Sequence, residues 1–99
     1  MQSPVASVHI DDDEAVIRTV ADDGHAILDR LVRRHAEPAM AFDVRVVDEV
    51  LDAARVLVEG PDRARLRFER AYVAVTRRPD RLVDRSDVEP EADGTPDRR

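Results

Sequence analysis

The chain has 99 residues, which is enough for one small domain but not for two. It contains no cysteine, which excludes disulfides and thiolate chemistry, and no apolar window approaches the roughly 20 residues of a membrane-spanning helix. A net charge of −6 argues against unspecific attraction to nucleic acid unless positive charge is concentrated locally. The N-terminal residues lack the basic segment and apolar run of a secretory signal, so a cytoplasmic location without membrane contact is the default expectation.

Residues 1–10 are predicted to form an extended N-terminal segment, in which Val5–Ile10 is a brief strand or a lead-in. The acidic run that follows is typical of a helix start. Asp11 is a good N-cap, and Glu14 follows three residues later, as in a capping box. Negative charge in a first turn also complements the helix dipole. This run therefore predicts that a helix begins at residue 12.

The first helix is predicted over residues 12–35. An apolar stripe with heptad-like spacing supports it and consists of Ile17, Val20, Gly24, Ile27 and Leu31. Gly24 costs such a helix about 1 kcal/mol relative to alanine, or marks a kink or a close approach of another backbone. Basic residues at 33–35 suit a helix C-terminus, and Pro38 ends the segment.

A second helix is predicted over residues 43–59. Val47, Val50, Leu51, Ala54, Leu57 and Val58 form a continuous helical stripe, and Gly60 with Pro61 provides a stop. Residues 40–46 alternate between apolar and polar side chains, which leaves a short strand there as an alternative.

A third helix is predicted between Pro61 and Pro79, with an apolar face that includes Ala64, Phe68, Tyr72 and Val75. Residues 80–99 lose all periodicity and are rich in proline and charge, which predicts a disordered tail. The predicted organisation is thus a helical domain over residues 11–79, between the extended N-terminal segment and the tail.

Arginines dominate the third helix. Between Gly60 and Arg78 six arginines accompany two acidic residues, so the segment is locally +4. When residues are placed about 100° apart, five of these arginines project to one side, namely Arg63, Arg67, Arg70, Arg77 and Arg78. The plainest interpretation is a solvated face paired within the chain. The alternatives are a surface for phosphates or for an acidic partner, since guanidinium groups suit both.

The sequence provides little for catalysis or metal binding. Asp22, His25 and Asp29 share one face of the predicted first helix, but nothing nearby supplies a third strong ligand at a familiar spacing. The serines all lie in end segments, and no glycine-rich phosphate loop is present. We therefore expect no catalytic residues, no metal and no cofactor.

The predicted fold is all-α: a small three-helix domain in which the long first helix packs against a helical hairpin. The long helix has more apolar stripe than two shorter helices can cover, so a second copy or another protein is expected to cover the rest. This predicts a noncatalytic helical protein–protein interaction module, self-associating, that serves as an adaptor, scaffold or small assembly subunit. Its expected contact residues are Ile17, Val20, Ile27 and Leu31. The alternatives are a nucleic-acid-binding regulator that uses the arginine stripe, and an inhibitor or antitoxin-like protein with an acidic tail.

Overall fold

Four hydrogen-bonded strands organise the chain in a computed structural model that describes residues 4–83. The predicted all-α, three-helix domain is therefore wrong, because the protein has an α/β fold with one mixed sheet and two helices. In chain order the elements are β1 (Val5–Ile10), β2 (Glu14–Val20), β3 (Ala26–Val32), α1 (Ala39–Glu49), β4 (Arg55–Glu59), α2 (Asp62–Thr76) and a short 3-10 helix (Pro79–Arg81).

The strand order in the sheet is β3-β2-β1-β4. β1 and β2 are antiparallel, as are β2 and β3, while β1 and β4 run parallel. Val8 shows the central position of β1, because it lies between Ile17 of β2 and Val58 of β4. The N-terminal segment therefore supplies an internal strand of the sheet.

One face of the sheet carries the core, and both helices contribute to it. Alternate residues of β1, β2 and β4 point to this side, as strand geometry requires, and are buried. They pack against the aromatic and branched side chains of α1 and α2. The core cluster includes Ala6, Val8, Ile10, Ala15, Ile17, Val56 and Val58 from the sheet, and Phe42, Val46, Val47, Phe68 and Tyr72 from the helices.

The acidic run at residues 11–14 forms the turn between β1 and β2, and no helix begins there. Asp11 Oδ1 accepts hydrogen bonds from the backbone N–H groups of Asp13 at 2.7 Å and Glu14 at 2.9 Å. These two bonds lower the pKa of Asp11. The prediction that Asp11 is a helix N-cap is therefore wrong. A short carboxylate can accept backbone N–H bonds in a turn as well as at a helix start, and here Asp11 caps the turn.

The predicted first helix over residues 12–35 is a β-hairpin. Its turn closes where the Ala21 N–H donates to the His25 oxygen at 2.9 Å and the Gly24 N–H donates to the Ala21 oxygen at 3.0 Å. Gly24 has a φ of +91°, a conformation that suits glycine in a hairpin turn. Gly24, which was predicted to lie in the middle of a helix, therefore lies in the turn that reverses the chain direction.

Residues 40–46, for which a strand was the alternative, lie in the helix α1. The predicted helix over 43–59 is also wrong in its second half, because β4 occupies Arg55–Glu59. Val56 and Val58 alternate with more exposed neighbours and pair with β1. A valine-rich segment of this length fits both a helical stripe and a short buried strand, and pairing with β1 selects the strand.

The third predicted helix is present as α2, and it ends at Arg77, which adopts a left-handed conformation with a φ of +58°. Pro79–Arg81 forms the 3-10 helix, which begins one residue before the predicted tail, and the Val83 N–H donates to the Val56 oxygen at 2.9 Å. The remaining tail, residues 84–99, lies outside the described residues. Neither helix in residues 4–83 has the length and apolar character needed to cross a bilayer.

Gly60 is the glycine that the packing requires most strictly. Its φ is +133°, and a Cβ atom there would collide with the carbonyl oxygen of Ile10. We expect Gly60→Ala to lower the free energy of unfolding by about 2 kcal/mol or more, because it adds backbone strain and a clash. Gly24→Ala is the matched control, since Gly24 also has a positive φ but open space around it. Urea denaturation with equal losses for the two variants would contradict this account.

Candidate functional site

Three arginines of α2 form a common surface, which we call the arginine face: Arg63, Arg67 and Arg70. Together with Ala39 and Leu66 they line an open depression of about 480 Å³. The other two arginines of the predicted stripe do not extend this depression. Arg77 is the C-cap of α2, and Arg78 lies beyond it with its guanidinium 3.2 Å from Asp80. The left-handed turn at the helix end thus separates these two residues from the helical stripe.

Arg67 is held by carboxylates of the chain itself. Its guanidinium donates to the two carboxylate oxygens of Asp43 at 2.6 and 3.3 Å, and to Asp12 at 3.1 Å. The bond to Asp43 is the main cause of a raised pKa of Arg67. Asp43 is fully buried and lies in α1, so this pair joins the two helices. Sequence reasoning placed residue 43 only at the start of the second predicted helix and missed the role of Asp43 here.

Arg63 and Arg70 differ from Arg67 because both are exposed and neither forms an ion pair with another residue of the range 4–83. Arg70 also borders a groove of about 340 Å³ between the two helices. The groove is mostly apolar and is lined by Met40, Asp43, Val44, Arg67, Arg70, Ala71, Ala74 and Val75. An apolar groove with accessible guanidinium groups beside it suits a ligand that combines apolar and negatively charged groups.

The four predicted contact residues do not form one surface. Ile17 is buried in the chain's own core, and Leu31 is half-buried against the same core. Ile27 lies on the helix side of β3 but is exposed, whereas Val20 lies on the opposite face of the sheet. The helical stripe that grouped these residues does not exist, because they divide between two strands and two faces.

Exposed apolar side chains instead concentrate on β3, the strand at one end of the sheet order. Ile27, Leu28 and Val32 retain 62%, 68% and 53% of their accessible surface. Ile27 faces the helix side and the other two face the open side, so apolar surface is present on both faces of one strand. Leu28 and Val32 were not among the contact residues expected from the sequence. The outer side of β3, which we call the β3 edge, is the second candidate site.

The two outer edges of the sheet are not equivalent. At β4, Leu82 and Val83 bridge to Val56 and occupy part of the edge. At the β3 edge, no strand among residues 4–83 pairs with the outward backbone groups. One contact closes its C-terminal end, where Arg45 donates to the Val32 oxygen at 2.8 Å.

A strong ion pair fixes Arg45 in that position. Its guanidinium donates to both carboxylate oxygens of Glu37 at 2.9 Å. These bonds are the main cause that lowers the pKa of Glu37 from 4.5 to about 2, and the Arg34 backbone N–H adds to the effect. The carboxylate of Glu37 therefore stays ionised well into the acidic range, and Arg45 keeps its partner.

The histidine-centred candidate does not form a metal site in the part of the chain that the structure describes. Asp22 and His25 lie in the second hairpin turn and Asp29 lies on β3, and no group of three potential ligands converges within residues 4–83. Asp23 accepts from the His25 backbone N–H at 2.9 Å and lies 3.0 Å from its Nδ1. These contacts lower the pKa of Asp23 and stabilise the turn.

No protein-family model matches the sequence, and no curated protein is significantly similar to it. Function is therefore inferred from the geometry of the two candidate sites.

Removal of Arg67 tests whether it serves the fold. We expect Arg67→Met to lower the free energy of unfolding by about 3 kcal/mol, because it leaves the buried Asp43 carboxylate without its cation. Arg63→Met is the matched control on the same helix, and its effect should stay within about 0.5 kcal/mol because Arg63 is exposed. Chemical denaturation of both variants at neutral pH measures the difference. Equal stability of the two variants would show that Arg67 is not a structural residue.

Proposed function

We propose that this chain is a noncatalytic protein–protein interaction module that associates with a second copy of itself through β3. The observation that carries the proposal is the cluster of three exposed apolar side chains on β3, whose outer edge pairs with no strand among residues 4–83. Long apolar edge strands are liable to pair with another chain, and small domains usually shield them.

On β3 the apolar cluster coincides with an open strand edge, a combination that the two helices do not offer. Burial of a leucine side chain contributes about 1.5 kcal/mol or more, and a symmetric pair buries each such residue twice. The backbone N–H and C=O groups at the edge also form hydrogen bonds when a strand is added. These bonds contribute to the free energy of association and fix the relative orientation of the two copies. Both contributions act at the same place on β3.

The mass of the protein in solution at tens of micromolar tests this proposal. We expect a dimer, and we expect Leu28→Asp to raise the dimer dissociation constant by roughly 100-fold, because about 1.5 kcal/mol of burial is removed at each of two leucines. Analytical ultracentrifugation measures both quantities. Thermal unfolding should show little change, because Leu28 is largely exposed in the isolated chain.

Met40→Asp is the matched control for this substitution. Met40 is 71% exposed and lies on α1, so the same charge is introduced on an apolar side chain away from β3. Its dissociation constant should equal that of the unaltered protein. A stable monomer at these concentrations, or equal weakening by the two variants, would refute the proposal.

A second candidate function is supported by the arginine face. Arg63 and Arg70 are exposed beside an open depression, which suits phosphate groups of a nucleic acid or carboxylates of an acidic protein. Of these two ligands, nucleic acid can be tested directly, and the second candidate function is therefore a nucleic-acid-binding regulator. It would use the outer side of α2 and leave the β3 edge available.

Charge reversal of the two exposed arginines tests this second function. We expect Arg63→Glu with Arg70→Glu to weaken binding to a labelled DNA duplex and to lower the salt slope by about 0.9 for each phosphate that is no longer neutralised. Arg55→Glu is a control, because Arg55 is an exposed arginine on β4 and is not among the residues that line the depression. Fluorescence anisotropy over a series of salt concentrations provides both quantities. Unchanged affinity would exclude this role for the arginine face.

A further inference from the structure

The direction of the backbone groups on β3 follows from its pairing with β2. Hydrogen bonds join Ala21 to His25 and Arg33 to Asp13, at the two ends of the β2–β3 hairpin. In an antiparallel pair, hydrogen-bonded and non-hydrogen-bonded residues alternate, so the odd-numbered residues of β3 direct their N–H and C=O groups to β2. The even-numbered residues direct theirs to the β3 edge. These are Ala26, Leu28, Arg30 and Val32.

Two features limit which of these backbone groups can pair with another strand: a hydrogen bond at one end of β3 and a turn at the other. At the C-terminal end the Val32 oxygen already accepts from Arg45. At the N-terminal end the chain leaves the strand for the turn, where Gly24 has a φ of +91°. The segment with open outward groups is therefore Ala26, Leu28 and Arg30, and Leu28 is its centre.

We propose that two copies pair through the β3 edge as antiparallel strands with Leu28 opposite Leu28 of the second copy. This inference rests on the proposed self-association and specifies its geometry. The two-fold axis is perpendicular to the sheet and passes between the two leucines, so the sheets join into one and the helices of both copies lie on the same side. Ala26 of each copy then lies opposite Arg30 of the other, and all three residues exchange backbone hydrogen bonds.

Charge selects this register over the next two toward the C-terminal end of β3. A dyad at Asp29 would place two aspartates directly opposite each other, and a dyad at Arg30 would do the same with two arginines. Like charges in directly opposed positions are destabilising. The dyad at Arg30 would also require the Val32 oxygen that Arg45 occupies.

A dyad at Ile27 avoids this repulsion but uses less of the edge. It would place Arg30 opposite Gly24, which lies in the turn and is not in strand conformation. With the dyad at Leu28, each Asp29 instead lies opposite Ile27 of the second copy. Arg30 stays free to keep its own contact with Glu14, at 2.8 Å, on the open face of the sheet.

Single cysteines test the register directly, because the chain contains none of its own. Directly opposed residues of a hydrogen-bonded antiparallel pair have Cα atoms about 5.5 Å apart, within the range that a disulfide spans. We expect Leu28→Cys to form a disulfide-linked dimer under mild oxidation, seen as a doubling of mass on a non-reducing gel. Arg30→Cys is the matched control on the same strand and face, and it should remain unlinked.

A mixture extends the test to the flanking positions. Ala26→Cys alone and Arg30→Cys alone should stay monomeric on the gel, whereas an equimolar mixture of the two should give the linked dimer. All three residues are exposed, so these substitutions leave the core intact. Ultracentrifugation of the reduced Ala26→Cys and Arg30→Cys variants measures whether each retains the association of the unaltered protein.

The outcomes separate this inference from the proposed function. A monomeric unaltered protein would overturn both. A dimer in which Arg30→Cys or Ile27→Cys links by itself while Leu28→Cys does not would overturn the register but retain β3 as the interface. A dimer in which none of the cysteines on β3 links, alone or mixed, would overturn the β3 edge as the interface and place the contact on another surface.

Discussion

The parallel pairing of β1 with β4 holds the two halves of this fold together. Residues 5–32 form an antiparallel meander and residues 39–76 form a helix–strand–helix unit, and β1 is the strand at which they join. The alternate side chains of β1 that face the helices, Ala6, Val8 and Ile10, are fully buried. Because this ladder connects residues distant in sequence, its free energy must offset the entropy of closing a long loop. Gly60 belongs to the same constraint, since its lack of a side chain lets β4 turn into α2 directly beside Ile10.

Arg67 also links the same two halves, through its ion pair with Asp12. Asp12 belongs to the first hairpin turn, Asp43 to α1 and Arg67 to α2. A buried carboxylate is tolerated only where a cation compensates its loss of hydration, and here one guanidinium serves two carboxylates. The arrangement also changes how the arginine-rich segment should be viewed. The net charge of this segment is larger than the positive charge that a ligand could reach. Arg65 is paired with Asp62 and Glu69, and Arg78 is paired with Asp80.

Sequence patterns predicted α2 well and the strands poorly, for identifiable reasons. Helix α2 has an apolar face at helical spacing and a proline immediately before it, and these signals are local. For residues 12–35 the apolar residues of two strands happened to match helical spacing. The competing signals were the β-branched residues of β2 and the Asp23–Gly24 dipeptide between two apolar runs, which is typical of a hairpin turn. They were outweighed by Asp11 and Glu14, whose spacing serves a turn as well as a helix.

The candidate sites were harder to predict because they depend on contacts between distant residues. The partnership of Asp43 with Arg67 spans 24 positions, and no local pattern separates Arg67 from the exposed arginines beside it. The position of β3 at the edge of the sheet is likewise a property of the strand order, which pairing with β4 determines. The apolar stripe predicted from local spacing does not exist in the folded chain, and of its members only Ile27 belongs to the exposed apolar cluster on β3.

The contrast between the two edges of the sheet connects the fold to the proposed self-association. Proteins commonly protect an edge strand with a charge in its middle, and Asp29 is such a charge. A central charge blocks only those registers that bring it against its own copy, and it leaves registers displaced by one residue open. β3 combines this partial protection with exposed apolar side chains on both faces, whereas the edge of β4 is shielded in part by Leu82 and Val83. A charge in this position disfavours unspecific edge-to-edge pairing of strands and still permits one defined register. Protection against aggregation and specificity of assembly can therefore reside in the same residue.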